Sequence, residues 1–359
     1  VDTPSDFSSS PPQPLAITTA ALSTSSISEV MMSLTAGRKT LLVFLGLLAV
    51  TSATITNAEW TAVINMAGRQ RMLSQKMSKE FLLVAKGIST TDNKANMAAT
   101  INLFNASLKK LMVGSSADLI PTPPTSAIQT QLNVVNSLWS TFSALLSDNV
   151  DASTISTSVL TDVAEQSVPI LVQMNAAVGM YATAAGTVAP GAVVNIAGRQ
   201  RMLSQRMSKE AVLVGLNVNK AATLTSLNAT RNLFDTSHVG LRDGSTALNL
   251  PATSNTCILK QLTTVASIWS QFEPLIAAII SSEAATDAQL TEIATLNPDL
   301  LREANNAVTM YVKDAANEAI TCTTTNSIVA TTSGAVTGPS PYCAVATCTV
   351  ILGLSFFLS

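Results

Sequence analysis

Histidine is almost missing from this chain of 359 residues; His238 is the only one. That scarcity argues against the common His-based zinc sites and hydrolytic triads. Cysteine is sparse as well. All four cysteines lie in the second half and none forms a C-x-x-C pair, which argues against zinc and for a disulfide in an exported protein. Aromatic residues make up 4% and charged residues 12%, with a net charge of -2. So few aromatics disfavour a β-sandwich, and the lack of a basic excess disfavours a nucleic-acid partner. No P-loop, G-x-G-x-x-G or Ser-His-Asp order is present, so neither an enzyme nor a cofactor is implied.

What the chain does have is apolar content, 47%, rich in Ala, Leu and Met and interleaved with Ser and Thr. That mixture suits closely packed helices, in one to three domains at this length. Both ends read as processing segments. Residues 1–30, rich in Ser, Thr and Pro, read as disordered or as an upstream extension of the gene model. Residues 31–58 read as a signal peptide: Arg38 and Lys39, an apolar run from Leu41 to Val50, then small residues with cleavage near Ala53 or Ala58. An uncleaved anchor is the alternative. At the other end, 322–342 reads as a Ser/Thr/Gly/Pro-rich stalk, followed by a hydrophobic tail over 343–359. The triplet Ser333-Gly334-Ala335 before that tail suggests GPI attachment at Ser333, with a short C-terminal transmembrane helix as the alternative. Either reading places the mature chain on the extracellular face of the plasma membrane or outside the cell.

The strongest feature is self-similarity at an offset of 130 residues. Asn65–Glu80 recurs as Asn195–Glu210 with only two of sixteen positions changed. The same register aligns Asn102 with Asn232, Gly114 with Gly244, Trp139 with Trp269, and Tyr181 with Tyr311. A whole domain is therefore duplicated, as copies over 59–187 and 188–321. The expected fold is all-α, two tandem up-down-up-down four-helix bundles. In copy one the periodicity predicts helices over about 59–88, 93–113, 126–147 and 153–185, and in copy two the last helix ends near Ile320. A break at Pro190-Gly191 would fold the second bundle back beside the first with their first helices parallel. A helix running through that point would stack the bundles end to end.

On a helical wheel the repeated segment shows three stripes. Val63, Met66, Leu73, Met77, Phe81 and Val84 form a core face, while Arg69, Lys76 and Lys79 fall on the far side, where solvated charge is expected. The third stripe is Ala67, Arg71, Ser74, Ser78 and Ala85, repeated as Ala197, Arg201, Ser204, Ser208 and Gly215. Small residues let another helix approach, and a guanidinium in their midst needs a partner, because an unpaired buried cation costs several kcal/mol. Two partners are open. One is intramolecular, a carboxylate or helix C-terminal carbonyls. The other is a bound anion held by the arginine fork, with help from Ser74 and Ser204.

The segment Ala-Gly-Arg-Gln-Arg-Met-Leu-Ser-Gln, with Gly68-x-x-Arg71-Met72 and Gly198-x-x-Arg201-Met202, resembles the first helix of the NarX/PilJ-type bacterial sensor domain. That family includes periplasmic nitrate/nitrite sensors and the sensor part of type IV pilus chemotaxis transducers. The resemblance is strong over about sixteen residues per copy. It implies that Arg71 and Arg201 grip one small anion between paired first helices, beside Gly68 and Gly198. The second arginine, at 69 and 199, and the Leu-Ser-Gln continuation are more like the pilus-transducer branch. No HAMP-like helix, kinase or methyl-accepting coiled coil is expected, and the signalling partner is unknown.

Trp139, Trp269, Phe142, Phe272, Tyr181 and Tyr311 read as core, and His238, which faces Leu108 in the register, as without a duplicated role. Asn105 and Asn228 head glycosylation sequons. Cys257 and Cys322 fall at the same end of copy two and are expected to pair. Two functions stay open: a cell-surface binding module for a small anion such as nitrate or nitrite, and a structural or adhesive surface protein without a ligand.

Overall fold

The computed structural model describes residues 54–186 and 191–322. The expected signal segment up to Ala53, the expected break at Pro190, the expected attachment point Ser333 and the tail from Cys343 lie outside the described residues. The first bundle comprises α1 (Asn57–Lys86), α2 (Thr90–Val113), α3 (Ser126–Asn149) and α4 (Thr157–Ala185). The second comprises α5 (Gly191–Gly215), α6 (Lys220–Asp243), α7 (Thr256–Ser282) and α8 (Asp287–Ala315). No strand occurs among the described residues; two isolated bridges, Ser115–Ile120 and Ser245–Leu250, close matching turns.

Helix ends follow local chemistry, and the chemistry recurs. Thr56 caps α1 and forms a capping box with Glu59. Thr125 and Asn255 cap α3 and α7, and Ser156 and Thr286 cap α4 and α8, each pair at the repeat offset. Those caps set α4 to start at Thr157, four residues later than periodicity placed it. In copy two α8 stops at Ala315, short of Ile320. Gly114 and Gly244 must be glycine: φ is +83° and +86°, and a Cβ would meet the backbone nitrogen of Thr122 at 3.1 Å or of Ala252 at 2.9 Å.

Each bundle packs its first helix against its second and fourth, and its third against its fourth. The largest helix–helix contact of all is between the copies, α1 on α5. The pair is parallel, since Arg71 meets Asn195 and Lys79 meets Gln205, so both numbers rise together. The two bundles therefore lie side by side, with α8 also touching α1 and α4 touching α5.

That arrangement corrects one expectation. Lys79, expected on a solvated face, is 6% exposed, and its counterpart Lys209 is 3% exposed. Arg69 and Lys76 are only half-buried. A wheel for a single bundle assigns α1 two covered sides; here α2, α4, α5 and α8 all cover it. From Gln70 to Leu83 every residue except Lys76 is buried. Small side chains at 67, 74 and 78 make the close α1–α5 approach possible.

Candidate functional site

Arg71 and Arg201 sit in the α1–α5 seam, each 1% exposed. Arg71 donates through Nη1 to Asn175 Oδ1 of α4 at 2.7 Å and through Nη2 to the Asn195 carbonyl of α5 at 3.2 Å. Arg201 mirrors it, donating to Asn305 Oδ1 of α8 at 2.9 Å and to Asn65 Oδ1 of α1 at 2.8 Å. The Nε of both guanidiniums is buried and has no partner. Neither arginine forms an ion pair with any carboxylate among the described residues.

The two cations share one small space. A Cβ placed on Gly68 would lie 3.3 Å from Arg71 Nη2 and 3.8 Å from Arg201 Nη2, and Gly198 shows the mirror-image distances of 3.7 and 3.3 Å. Glycine at both points is what leaves room for two guanidiniums. Two like charges that both come within 4 Å of the same point repel one another in a buried seam. Burial, reinforced by the neighbouring cation, pushes both guanidiniums down to about 9, so each still carries its charge at neutral pH. For Arg71 that neighbour is chiefly Arg199, and for Arg201 it is Arg71 and then Arg69. Arg69 and Arg199 donate to Ser107 and Ser237, both at 3.0 Å, and add positive potential to the centre. The centre is electropositive: it offers unspent N–H donors and, among the described residues, no paired carboxylate.

The serines on the same stripe are turned elsewhere. Ser74 Oγ donates to the Arg71 carbonyl and Ser204 Oγ to the Arg201 carbonyl, at 2.9 and 2.8 Å. Each also accepts from the adjacent glutamine, Gln75 or Gln205. They lock the backbone under the arginines. The sequence reading missed Asn65, Asn195, Asn175 and Asn305; all four sit at the repeat offset, a signal that marks them only once a role for the pairs is suspected.

About two turns further along the seam is a second buried cation layer. Lys79 Nζ donates to Gln205 Oε1 at 2.9 Å and Asn297 Oδ1 at 2.7 Å. Lys209 Nζ donates only to Ser167 Oγ, at 3.0 Å. Burial pushes both ammoniums down to about 8, with the adjacent Glu80 or Glu210 partly opposing. The repeat is broken here, because Asn297 occupies the position of Ser167.

The other candidates take distinct places. Cys257 and Cys322 are bonded, with Cα atoms 4.8 Å apart. Asn105 and Asn228 are exposed on α2 and α6, but Asn105 Oδ1 already accepts the Trp139 indole N–H, as Asp235 does from Trp269. The indoles stack on Phe104 and Phe234 with ring centroids 4.0 and 4.3 Å apart. His238 is buried beside Phe234, and burial pushes it below its usual value, so it stays neutral. Helices α4 and α7 are long and apolar enough to cross a membrane by length and composition; each turns part of that surface into its bundle core.

The model of the PilJ family, described as the type IV pili methyl-accepting chemotaxis transducer N-terminal domain, matches residues 56–164 and again 188–295. Over 117 residues the chain is 30% identical to the methyl-accepting chemotaxis protein McpN of Pseudomonas aeruginosa, covering 33% of this chain and 21% of that protein. The match thus spans about a fifth of that relative's length.

Proposed function

Because the chain belongs to the PilJ family of chemotaxis-transducer N-terminal domains in two copies, and is thus a sensory type of module, we propose that its α1–α5 seam binds one small oxyanion, of the size of nitrate or nitrite. The observation that carries this reading is the pair of buried guanidiniums with unpartnered Nε atoms and no carboxylate. Arg71 and Arg201 clamp the anion. Gly68 and Gly198 make room for it, Asn175 and Asn305 aim the guanidiniums, and Ser74 and Ser204 support the backbone behind them. Tandem duplication supplies from one chain two arginines that a homodimer would supply from two. Charge-assisted bonds of about 1.5–3 kcal/mol each, less the costs of association, support micromolar to millimolar affinity.

The module acts outside the cell, held to a membrane through a GPI anchor or the C-terminal tail, or is secreted; it binds rather than catalyses. A thermal-shift series on the full chain tests the clamp, with nitrate, nitrite, chloride and sulfate at fixed ionic strength. A selective upward shift that disappears in both Arg71→Ala and Arg201→Ala is the expected result. If no anion gives a selective shift and the variants match the wild type in stability, the arginines are structural and the protein is a ligand-free surface bundle.

A further inference from the structure

The repeat offset relates two cavities, and they are not chemically equivalent. One of about 580 Å³ lies between α1, α2 and α8, with Lys79 and Glu80 in its wall. Its counterpart of about 340 Å³ lies between α5, α6 and α4, with Lys209 and Glu210 in its wall. In the first cavity the charged groups are internally satisfied. Lys79 spends two of its three donors on Gln205 and Asn297. Glu80 Oε1 takes Lys76 and Glu80 Oε2 takes Thr100 Oγ1.

In the second cavity both are left open. Lys209 has one bond, to Ser167 Oγ, and keeps two unspent donors in a buried position. Glu210 puts both of its partners, Arg206 Nε and Ser226 Oγ, on Oε1; Oε2 is buried without a partner. A buried ammonium with spare donors and a buried carboxylate oxygen with none are each costly unless something completes them. Both residues line the same cavity, whose wall joins the aliphatic Val168, Leu171 and Leu213 to the polar Glu165, Arg206 and Asn219.

We propose that this α4–α5–α6 cavity is a second binding site, for the zwitterion of an aliphatic α-amino acid. The ligand carboxylate accepts from Lys209, its ammonium donates to Glu210 Oε2, and its side chain lies against Leu171, Leu213 and Val168. A ligand of one sign would satisfy one orphan and repel the other; a dipolar one satisfies both. Lys209, pushed down to about 8 by burial, carries its charge at neutral pH as the site requires. The duplicate cavity is excluded from this role because Asn297 and Thr100 already fill the corresponding bonds. The site is separate from the arginine clamp and stands whether or not an oxyanion binds there.

Isothermal titration of the full chain with L-alanine, L-valine and L-leucine tests this. N-acetyl-L-leucine and L-leucinamide, which lack the ammonium and the carboxylate respectively, are the controls. Ser167→Asn installs the arrangement that copy one already tolerates, and Glu210→Gln removes the acceptor charge. At least one amino acid should bind saturably to the wild type. Binding should weaken at least about tenfold for both controls and in both variants, while Arg71→Ala leaves it intact. Absence of binding by all three amino acids overturns the proposal. So does equal binding of N-acetyl-L-leucine, or undiminished binding to Ser167→Asn with an unchanged unfolding midpoint.

Discussion

Replacing Lys209 by methionine should make the protein more stable, and the same change at Lys79 should not. Burial moves the Lys209 ammonium from 10.5 to about 8, and at about 1.4 kcal/mol per unit the charged form costs the fold on the order of 3 kcal/mol. Methionine has nearly the same length and volume, so no cavity opens. Ser167 Oγ keeps its bond to the Ala164 carbonyl at 2.9 Å, so nothing is stranded. The expected gain at pH 7 is therefore about 1–3 kcal/mol. Lys79→Met relieves a similar cost but strands Gln205 Oε1 and Asn297 Oδ1, both buried. Each unsatisfied acceptor costs about 1–3 kcal/mol, so the net change is close to zero or unfavourable. Urea unfolding of both variants at pH 7 reads the difference directly, provided the m-values agree with the wild type. A loss of more than about 1 kcal/mol in Lys209→Met, or equal effects of the two substitutions, would refute the reasoning and show Lys209 to be fully solvated or paired.

Other outcomes follow from the same geometry. Because both lysines are pushed down to about 8, between pH 8 and 10 the unfolded chain binds more protons, and stability should rise with pH by up to ~1.4 kcal/mol per unit for each lysine. Above pH 10 the rise should level off, since burial pushes both Tyr181 and Tyr311 up, the latter to about 12, and the unfolded phenols ionise first, which offsets the opposite contribution of the buried Arg71 and Arg201; a flat unfolding free energy over pH 8–10 contradicts the lysine burial. Cys257→Ser should lower stability by roughly 4 kcal/mol in the chain-entropy model for a separation of 65 residues, an effect that reduction of the wild type should reproduce in a denaturant titration. Gly68→Ala and Gly198→Ala each put a methyl 3.3 Å from a guanidinium tip; the flexible tip yields, so the unfolding midpoint should shift little while any oxyanion-induced thermal shift falls by at least half. A collapse of the fold in these alanine variants would mean that the space is structural.

The duplication, the helix count and the arginine stripe were all legible in the sequence because they depend on repetition and period, which a chain displays directly. The buried state of Lys79 and Lys209 was not. A wheel assigns faces relative to one bundle, and the burial comes from α8 and α5 of the other copy. The asparagine partners of the arginines were hidden for a related reason: Asn175 and Asn305 lie 104 residues from the arginines they hold. The unequal cavities rest on a departure from the repeat, Ser167 against Asn297, which looks like drift until the ammonium between them is seen.

The parallel α1–α5 pairing also changes what dilution can do. In a homodimeric receptor the cleft between subunits exists only when two chains meet, so its occupancy tracks protein concentration. Here only four residues, 187–190, separate the end of the first bundle's chain at Gly186 from Gly191. A tether that short holds the halves at an effective concentration in the millimolar range or above. The central cleft stays assembled however scarce the protein becomes. Covalent fusion also ends the obligation of the two halves to be identical. A substitution in a homodimer appears twice and alters both flanks; in this chain Ser167 and Asn297, or Ala127 and Cys257, can differ. One flank is thereby free to acquire a new ligand or a new crosslink while the other keeps its old contacts.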